Sequence, residues 1–234
     1  MADSRHTLML DALGAAIVSG SLEPGAVLRV EELQQRFEVS RTVAREVVRA
    51  LEGIGLTTSK RRVGVTVREP AGWNHYDPRL IRWQLDGPGR AEALRTLTEL
   101  RSAVEPSAAR FAALRASPEQ RGRLRALATR LAGTAKAKDL DTFLGHDIEF
   151  HHLVLTASGN PMFGQLSEVV AEVLTGRTGH GLMPAEPRPE AVAWHAEVAA
   201  AIEAGDASRA ERAMGDIVVQ ARDEMLELLT PPDP

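Results

Sequence analysis

Apolar side chains recur at three- and four-residue spacing over most of the chain, and the exceptions mark its joints. Leu8, Leu10, Ala12, Leu13, Ala16 and Ile17 predict a helix over about 5–19, which Gly20 stops. The stretch SLEPGAVL reads as a turn around Pro24-Gly25. A short helix over 30–37 follows, with Leu33 and Phe37 four residues apart. Ser40 is a good N-cap for a third helix over about 41–52, whose inner face carries Val43, Val47, Val48 and Leu51. Gly53 and Gly55 end it. The period then drops to two over 56–59 and 63–67, on either side of Lys60-Arg61-Arg62, which predicts a small hairpin.

Three short helices and a hairpin, in that order, make a winged helix-turn-helix over 1–70, a unit in which each amphipathic face needs the others to bury it. Residues 71–88 break the pattern. They hold turns and two of the three tryptophans, Trp73 and Trp83, and aromatics in a linker favour docking on a domain surface over free flexing. From 89 to 230 the pattern is helical again, with runs at 91–116, 118–131, 140–157, 162–174, 191–204 and 207–229. Breaks fall at Gly133, at Ser158-Gly159-Asn160-Pro161, at 176–189 and at Gly205-Asp206. The fold class is mainly α, the winged unit followed by an antiparallel bundle of about six helices.

Composition narrows the chemistry. The 234 residues include no cysteine, so disulfides and thiolate metal sites are excluded and any metal must sit on His and carboxylates. No basic segment with a long apolar run opens the chain, and no stretch reaches the ~20 apolar residues that span a bilayer, so a cytoplasmic protein without a membrane partner is expected. The net charge of −4 argues against nucleic acid until its distribution is read. Between Ser40 and Arg68 seven basic residues face two acidic ones, a positive island on an acidic chain.

That island falls on the third helix and the hairpin. Arg41, Arg45 and Arg49 share the face opposite the valines, and an arginine in the first turn of such a helix reaches guanine O6 and N7 in the major groove. Ser40 and Thr42 offer hydroxyls to phosphate. Arg61 and Arg62 put charge on the wing tip beside Gly64, where a missing side chain allows close approach to the backbone or minor groove. Double-stranded DNA is the expected partner.

The stretch L-R-V-E-E-L-x-x-R-F-x-V-S-R-T-x-x-R-E-V-x-R-x-L-E-x-x-G-L, residues 28–56, resembles the DNA-binding domain of GntR-superfamily regulators. The later part resembles the FCD ligand-sensing domain of the FadR-type branch. The matching pieces are Leu100-Arg101-x-x-Val104-Glu105-Pro106, Asp147-x-x-Phe150-His151, Ser158-Gly159-Asn160-Pro161, His195 and Ala201-Ile202-x-x-Gly205-Asp206. The segment W-N-x-x-D-x-x-x-x-x-W, residues 73–83, further resembles regulators of sugar-acid operons, galactonate and gluconate among them. The resemblance implies a homodimer on an inverted-repeat operator, and a bundle of six or seven helices around a cavity that in many relatives holds a divalent metal on one Asp and three His.

The residues support part of that implication. Asp147 and His151 lie at i, i+4 on one helical face and can reach one ion; His195 can join from a later helix. The family's last histidine aligns with Ile217, a departure from the pattern. Three groups still hold a divalent ion such as zinc, nickel or manganese if water or ligand oxygens complete the shell; the same three could hydrogen-bond a hydroxyacid with no cofactor at all. Arg101 is a candidate fork for an effector carboxylate, or else an ion-pair partner for Glu105 four residues on. Arg177, in a stretch read as loop, could close over a ligand, whereas Asn160 is read as a helix cap.

The function expected is transcriptional regulation: a repressor of a sugar-acid operon released by a small carboxylate such as gluconate or galactonate, or a regulator answering to another organic acid. Effector binding would reset how the segment from Trp73 to Trp83 seats the DNA-binding modules. A metal-dependent enzyme built on the Asp/His cluster is the rival class, yet no separate general base has matching spacing, so no catalytic residue is assigned. A DNA-binding protein without an effector would leave Arg101 and the Asp/His trio as costly buried charge.

Overall fold

The computed structural model describes residues 2–60, 64–183 and 186–229 and divides the chain into two compact units, Met1–Ala93 and Leu94–Pro234. In the first, α1 (Ala2–Val18), β1 (Val27–Leu28), α2 (Val30–Phe37) and α3 (Arg41–Ile54) precede the wing strands β2 (Thr57–Lys60) and β3 (Gly64–Val67). The sheet is antiparallel in the order β1-β3-β2, with Thr58 opposite Thr66 and Val27 opposite Thr66 on the other side. Strand β1 was read as turn in the sequence; at two residues it is too short for alternation to register. It covers the inner edge of the wing and leaves β2 outermost.

Met9, Leu13 and Ile17 of α1, Val47 and Leu51 of α3, and Val65 and Val67 of β3 meet in one core. The α1 face is rotated from the one expected: Met9 is buried while Leu8 and Ala12 are exposed, because the stripe that packs on α3 runs 9-10-13-17. Gly55 closes α3 in the left-handed region at φ 86°, and a Cβ there would press on the Gly72 carbonyl oxygen.

The tryptophan-bearing segment is ordered into a helix, α4 (Pro78–Asp86), capped by Asp77 and started by Pro78, and it belongs to the first unit. Leu80 and Trp83 enter the first core, the Trp83 ring lies on Gly14, and its Nε1–H donates to Asp11 Oδ1 at 3.1 Å. The reading of residues 71–88 as a linker that docks through its tryptophans did not foresee this helix, since nine residues starting at a proline carry too short a period to stand out.

Helix α5 (Arg90–Arg115) contains the division between the units. The second unit continues with α6 (Pro118–Ala137), α7 (Leu140–Ala157), the single turn α8 (Pro161–Gly164), α9 (Ser167–Gly179), α10 (Pro189–Ala204) and α11 (Ala207–Leu229). Helix α6 runs through Gly133, which was read as a break, because a lone glycine costs a helix only about 1 kcal/mol. The run over 162–174 is two helices, α8 and α9. Helix α10 packs on α11 and α6, α6 on α7, and α7 on α9. Phe150, Leu124, Leu131, Val198, Ile202 and Met214 form the centre of their common core. No helix among the described residues is long and apolar enough to cross a membrane.

Candidate nucleic-acid interface and ligand cavity

Helix α3 is placed by its own ends. Ser40 Oγ accepts from the Val43 amide at 3.3 Å, and Ala44, Val47, Val48, Leu51 and Ile54 are drawn into the core, with Val43 half-buried. The opposite face is therefore obliged to be outward. Arg41, Thr42, Arg45 and Arg49 are all exposed on it, and Gly64 stands exposed at the start of β3. Glu52 of α3 accepts from the Ser59 amide of β2, which ties the wing to the helix. Between them runs a groove of about 430 Å³ bordered by Arg29, Arg41, Arg45 and Arg49. Arg41 meets Glu31 at 3.7 Å, a solvent-exposed pair of the kind that contributes little and is readily exchanged for a phosphate. Arg61 and Arg62 lie outside the described residues.

The second unit gathers its charged residues inside. Arg101 and Glu105, one turn apart on α5, are 2 % and 1 % exposed. Arg101 Nε donates to Glu105 Oε1, and the other Glu105 oxygen takes the Nδ1 proton of His151 on α7. One turn back on α7, Asp147 Oδ1 stands 3.4 Å from His151 Nε2 and 3.0 Å from Nε2 of His195 on α10. His195 Nδ1 lies 2.7 Å from the Ala191 carbonyl oxygen. The Phe150 ring meets both imidazoles edge-on.

Protons decide what this arrangement can do. A carbonyl only accepts, so His195 Nδ1 carries a hydrogen. Burial resists the charge on Glu105, but Arg101 and His151 override it and hold its pKa down to about 2. Glu105 is thus a carboxylate, and it fixes the hydrogen of His151 on Nδ1 as well. With Nδ1 so engaged, each ring has Nε2 as its remaining ligand atom, and both Nε2 atoms face Asp147. Burial works against that carboxylate too, yet the two imidazoles facing it hold its carboxyl well below the usual range. The three donor atoms lie within 4.8 Å of one another, and His151 Nε2 is buried without a hydrogen-bond partner. Two imidazole nitrogens and a carboxylate oxygen converging on one point are the donor types of a divalent-ion site, so the donor set fits a metal ion. In its absence burial disfavours charge on His151, but Glu105 and Asp147 prevail and raise its pKa to about 9.

These groups line a small inner cavity of about 40 Å³, whose wall also includes Arg101, Arg177 and Ile217. Ile217 is buried and offers no ligand atom, so among the described residues the candidate donors gathered here are Asp147, His151 and His195.

Residues 9–67 match the family model described as bacterial regulatory proteins, gntR family, and residues 96–220 match the FCD domain. The chain belongs to the gntR family of bacterial regulatory proteins, with an FCD domain. It is a transcriptional regulator, as its relatives are. It is 29 % identical over 218 residues to the galactonate operon transcriptional repressor of Escherichia coli (strain K12), a match covering 92 % of this chain and 94 % of that one. Its fold is shared with a Streptococcus agalactiae GntR (TM-score 0.52, 23 % identity, 93 % of this chain and 99 % of that one). It is shared equally with E. coli McbR/YncC (TM-score 0.56, 18 % identity, 97 % and 99 %).

Of the residues this gntR-family chain was expected to use on an effector, all four come together: Arg101, Asp147, His151 and His195 meet at one cavity. Arg101 is at once paired to Glu105 and part of the cavity wall, so its two alternatives are not exclusive. Asn160 caps α8 through a bond from the Met162 amide, and His152 is exposed. Arg177 is not in a loop; it is buried within α9 and pairs with Glu224 of α11 at 3.4 Å. Sequence reasoning missed Glu105 as the group that orients His151. It also missed Arg188, Gln220 and Glu224, which nothing short of the packing of α11 on α10 could have revealed.

Proposed function

We propose that this regulator is a repressor that acts as a homodimer on an inverted-repeat operator in the cytoplasm and releases it when a small hydroxy-carboxylate enters the FCD cavity. Arg41, Arg45 and Arg49 would read base edges from the exposed face of α3, Ser40 and Thr42 would hold phosphate, and the wing with Arg61, Arg62 and Gly64 would track the backbone. The cavity would hold a divalent ion, zinc, nickel or manganese, on Asp147, His151 and His195.

One observation carries the sensor reading: Glu105 and the Ala191 carbonyl engage Nδ1 of both histidines, so both Nε2 atoms converge on Asp147. An ion there would supply open positions for a carboxylate and its neighbouring hydroxyl. Arg101, Arg177 and Arg188 balance Glu105, Asp147 and Glu224 around the cavity, so a divalent ion leaves positive charge for an anion to meet. The printed name of the E. coli relative, a galactonate operon repressor, supports a sugar acid as that anion. Binding would shift the population of the protein toward a state whose recognition helices no longer match the half-site spacing.

Elemental analysis of the purified protein, followed by thermal shifts with six-carbon aldonates, tests this reading. A metal near one per chain is expected, with about 2.7 kcal/mol of added stability at one hundred times the dissociation constant. A protein that neither carries nor takes up metal, and that no carboxylate stabilises, would contradict it.

A further inference from the structure

Among the described residues, six buried side-chain atoms have no hydrogen-bond partner, and three of them belong to the wall of one cavity: His151 Nε2, Arg177 Nε and Gln220 Oε1. An unpaired buried polar atom is costly, since it has given up water for nothing, so three around one cavity are a pattern that demands a shared cause. The first is accounted for by the cation. The other two belong to α9 and α11 and are not among the three candidate metal donors.

Their chemistry is fixed by Glu224. One of its oxygens takes the Gln220 amide at 2.7 Å, so the Gln220 nitrogen faces the carboxylate and its oxygen is the atom left over. The other oxygen lies 3.4 Å from Arg177 Nη2, which leaves Arg177 Nε as an unused donor. Glu224 thus engages two residues of the cavity wall, one left with a lone donor and the other with a lone acceptor. A carboxylate or ether oxygen satisfies the donor but not the acceptor. Hydroxyls satisfy both, since each accepts at Arg177 Nε or donates to Gln220 Oε1.

The space points the same way. The inner cavity of about 40 Å³ is too small for more than a few water-sized groups, but a second cavity of about 320 Å³ adjoins it and shares Arg188, Gln220 and Glu224 as a wall. Arg188 Nε lies 3.1 Å from Glu224 and its Nη2 3.2 Å from Glu227. Displacing this half-exposed side chain would open one space to the other beside Gln220 and Glu224, the remaining shared wall.

We infer that Arg177 and Gln220 form a hydroxyl-reading subsite, oriented by Glu224, that selects carboxylates carrying further hydroxyls several carbons from the acid end. The inference rests on the effector reading above and deepens it. A ligand that ends at its 2-hydroxyl leaves both atoms unpaired, and a polyhydroxy chain satisfies them.

Calorimetric titration of the full metal-loaded chain with gluconate, galactonate and mannonate, each against glycolate, tests the subsite. At least one aldonate is expected to bind about tenfold or more tighter than glycolate. In Gln220→Leu that ratio should fall by about tenfold, and likewise in Arg177→Lys, which keeps a charge opposite Glu224 but lacks Nε; melting curves check that both variants fold. If glycolate binds as tightly as every aldonate, or the ratio survives both substitutions, the subsite is wrong while the effector reading stands. If none of the four acids binds, both fall together.

Discussion

His151 gives its Nδ1 proton to Glu105, a carboxylate one turn from Arg101 and buried with it. The consequence is directional: a ring held from behind has no choice of tautomer, and its Nε2 must face Asp147. A buried second partner of this kind is what distinguishes a preset ligand from a histidine that merely fills space. Glu105→Gln is therefore expected to weaken metal binding by about 10–100-fold. It also removes the counter-charge of a buried arginine, which costs roughly 3–5 kcal/mol of stability. Calorimetric metal titration and chemical denaturation measure the two effects. Unchanged metal affinity would mean that Glu105 serves Arg101 alone.

The same contact sets a pH dependence. Glu105 is held down to about 2, so its contribution to stability is present above its unfolded value near ~4.3 and fades as pH falls through about 2. His151 is raised to about 9, so in metal-free protein its contribution is full below ~6.5 and is lost as pH rises through about 9. Melting of the metal-free chain should accordingly lose this stabilisation above neutrality. Metal must displace the His151 proton, so uptake at neutral pH should release about one proton, and affinity should climb about tenfold per pH unit toward 9. Titrations in buffers of different ionisation enthalpy detect the proton, and an uptake with no release would contradict the assignment.

Trp83 and Gly14 form a second tight relationship. A Cβ on Gly14 would fall within the indole ring, so Gly14→Ala is expected to destabilise the first unit by about 1–3 kcal/mol. Trp83→Ala, which empties the site, should cost about 3–5 kcal/mol. Denaturation followed by circular dichroism reads both. A harmless Gly14→Ala would show that α4 is not seated on α1.

Arg45→Ala is expected to weaken operator binding by about 1–3 kcal/mol and to relax the base preference at one position of each half-site. Arg36, exposed on α2, is the control, since it lies outside the groove. Duplexes selected from a random pool, probed by anisotropy with each variant, supply the comparison, and an equal loss for both arginines would remove the groove assignment.

Much of the fold was legible because the inner face of α3 repeats with helical spacing and Ser40 marks its start, although α3 runs through Gly53, read as a stop, and ends at Gly55. The site was legible where chemistry and spacing coincide, as in Asp147 and His151 at i, i+4. It was not legible where a residue's meaning comes from another helix. Glu105 reads as an ordinary helix carboxylate until α7 is laid against α5, and Arg177 and Gln220 sit 43 residues apart on different helices. Strand β1 and helix α4 escaped for a simpler reason, because each is shorter than the window over which a period declares itself.

Release from DNA tests the account most directly. The full chain, bound to a selected operator and followed by anisotropy, should dissociate as metal and the tightest-binding aldonate are added together. The His195→Ala chain should bind the same duplex yet stay bound at aldonate concentrations that free the parent protein. If the substituted chain lets go at the same concentration, the Asp147–His151–His195 cluster is not the sensor.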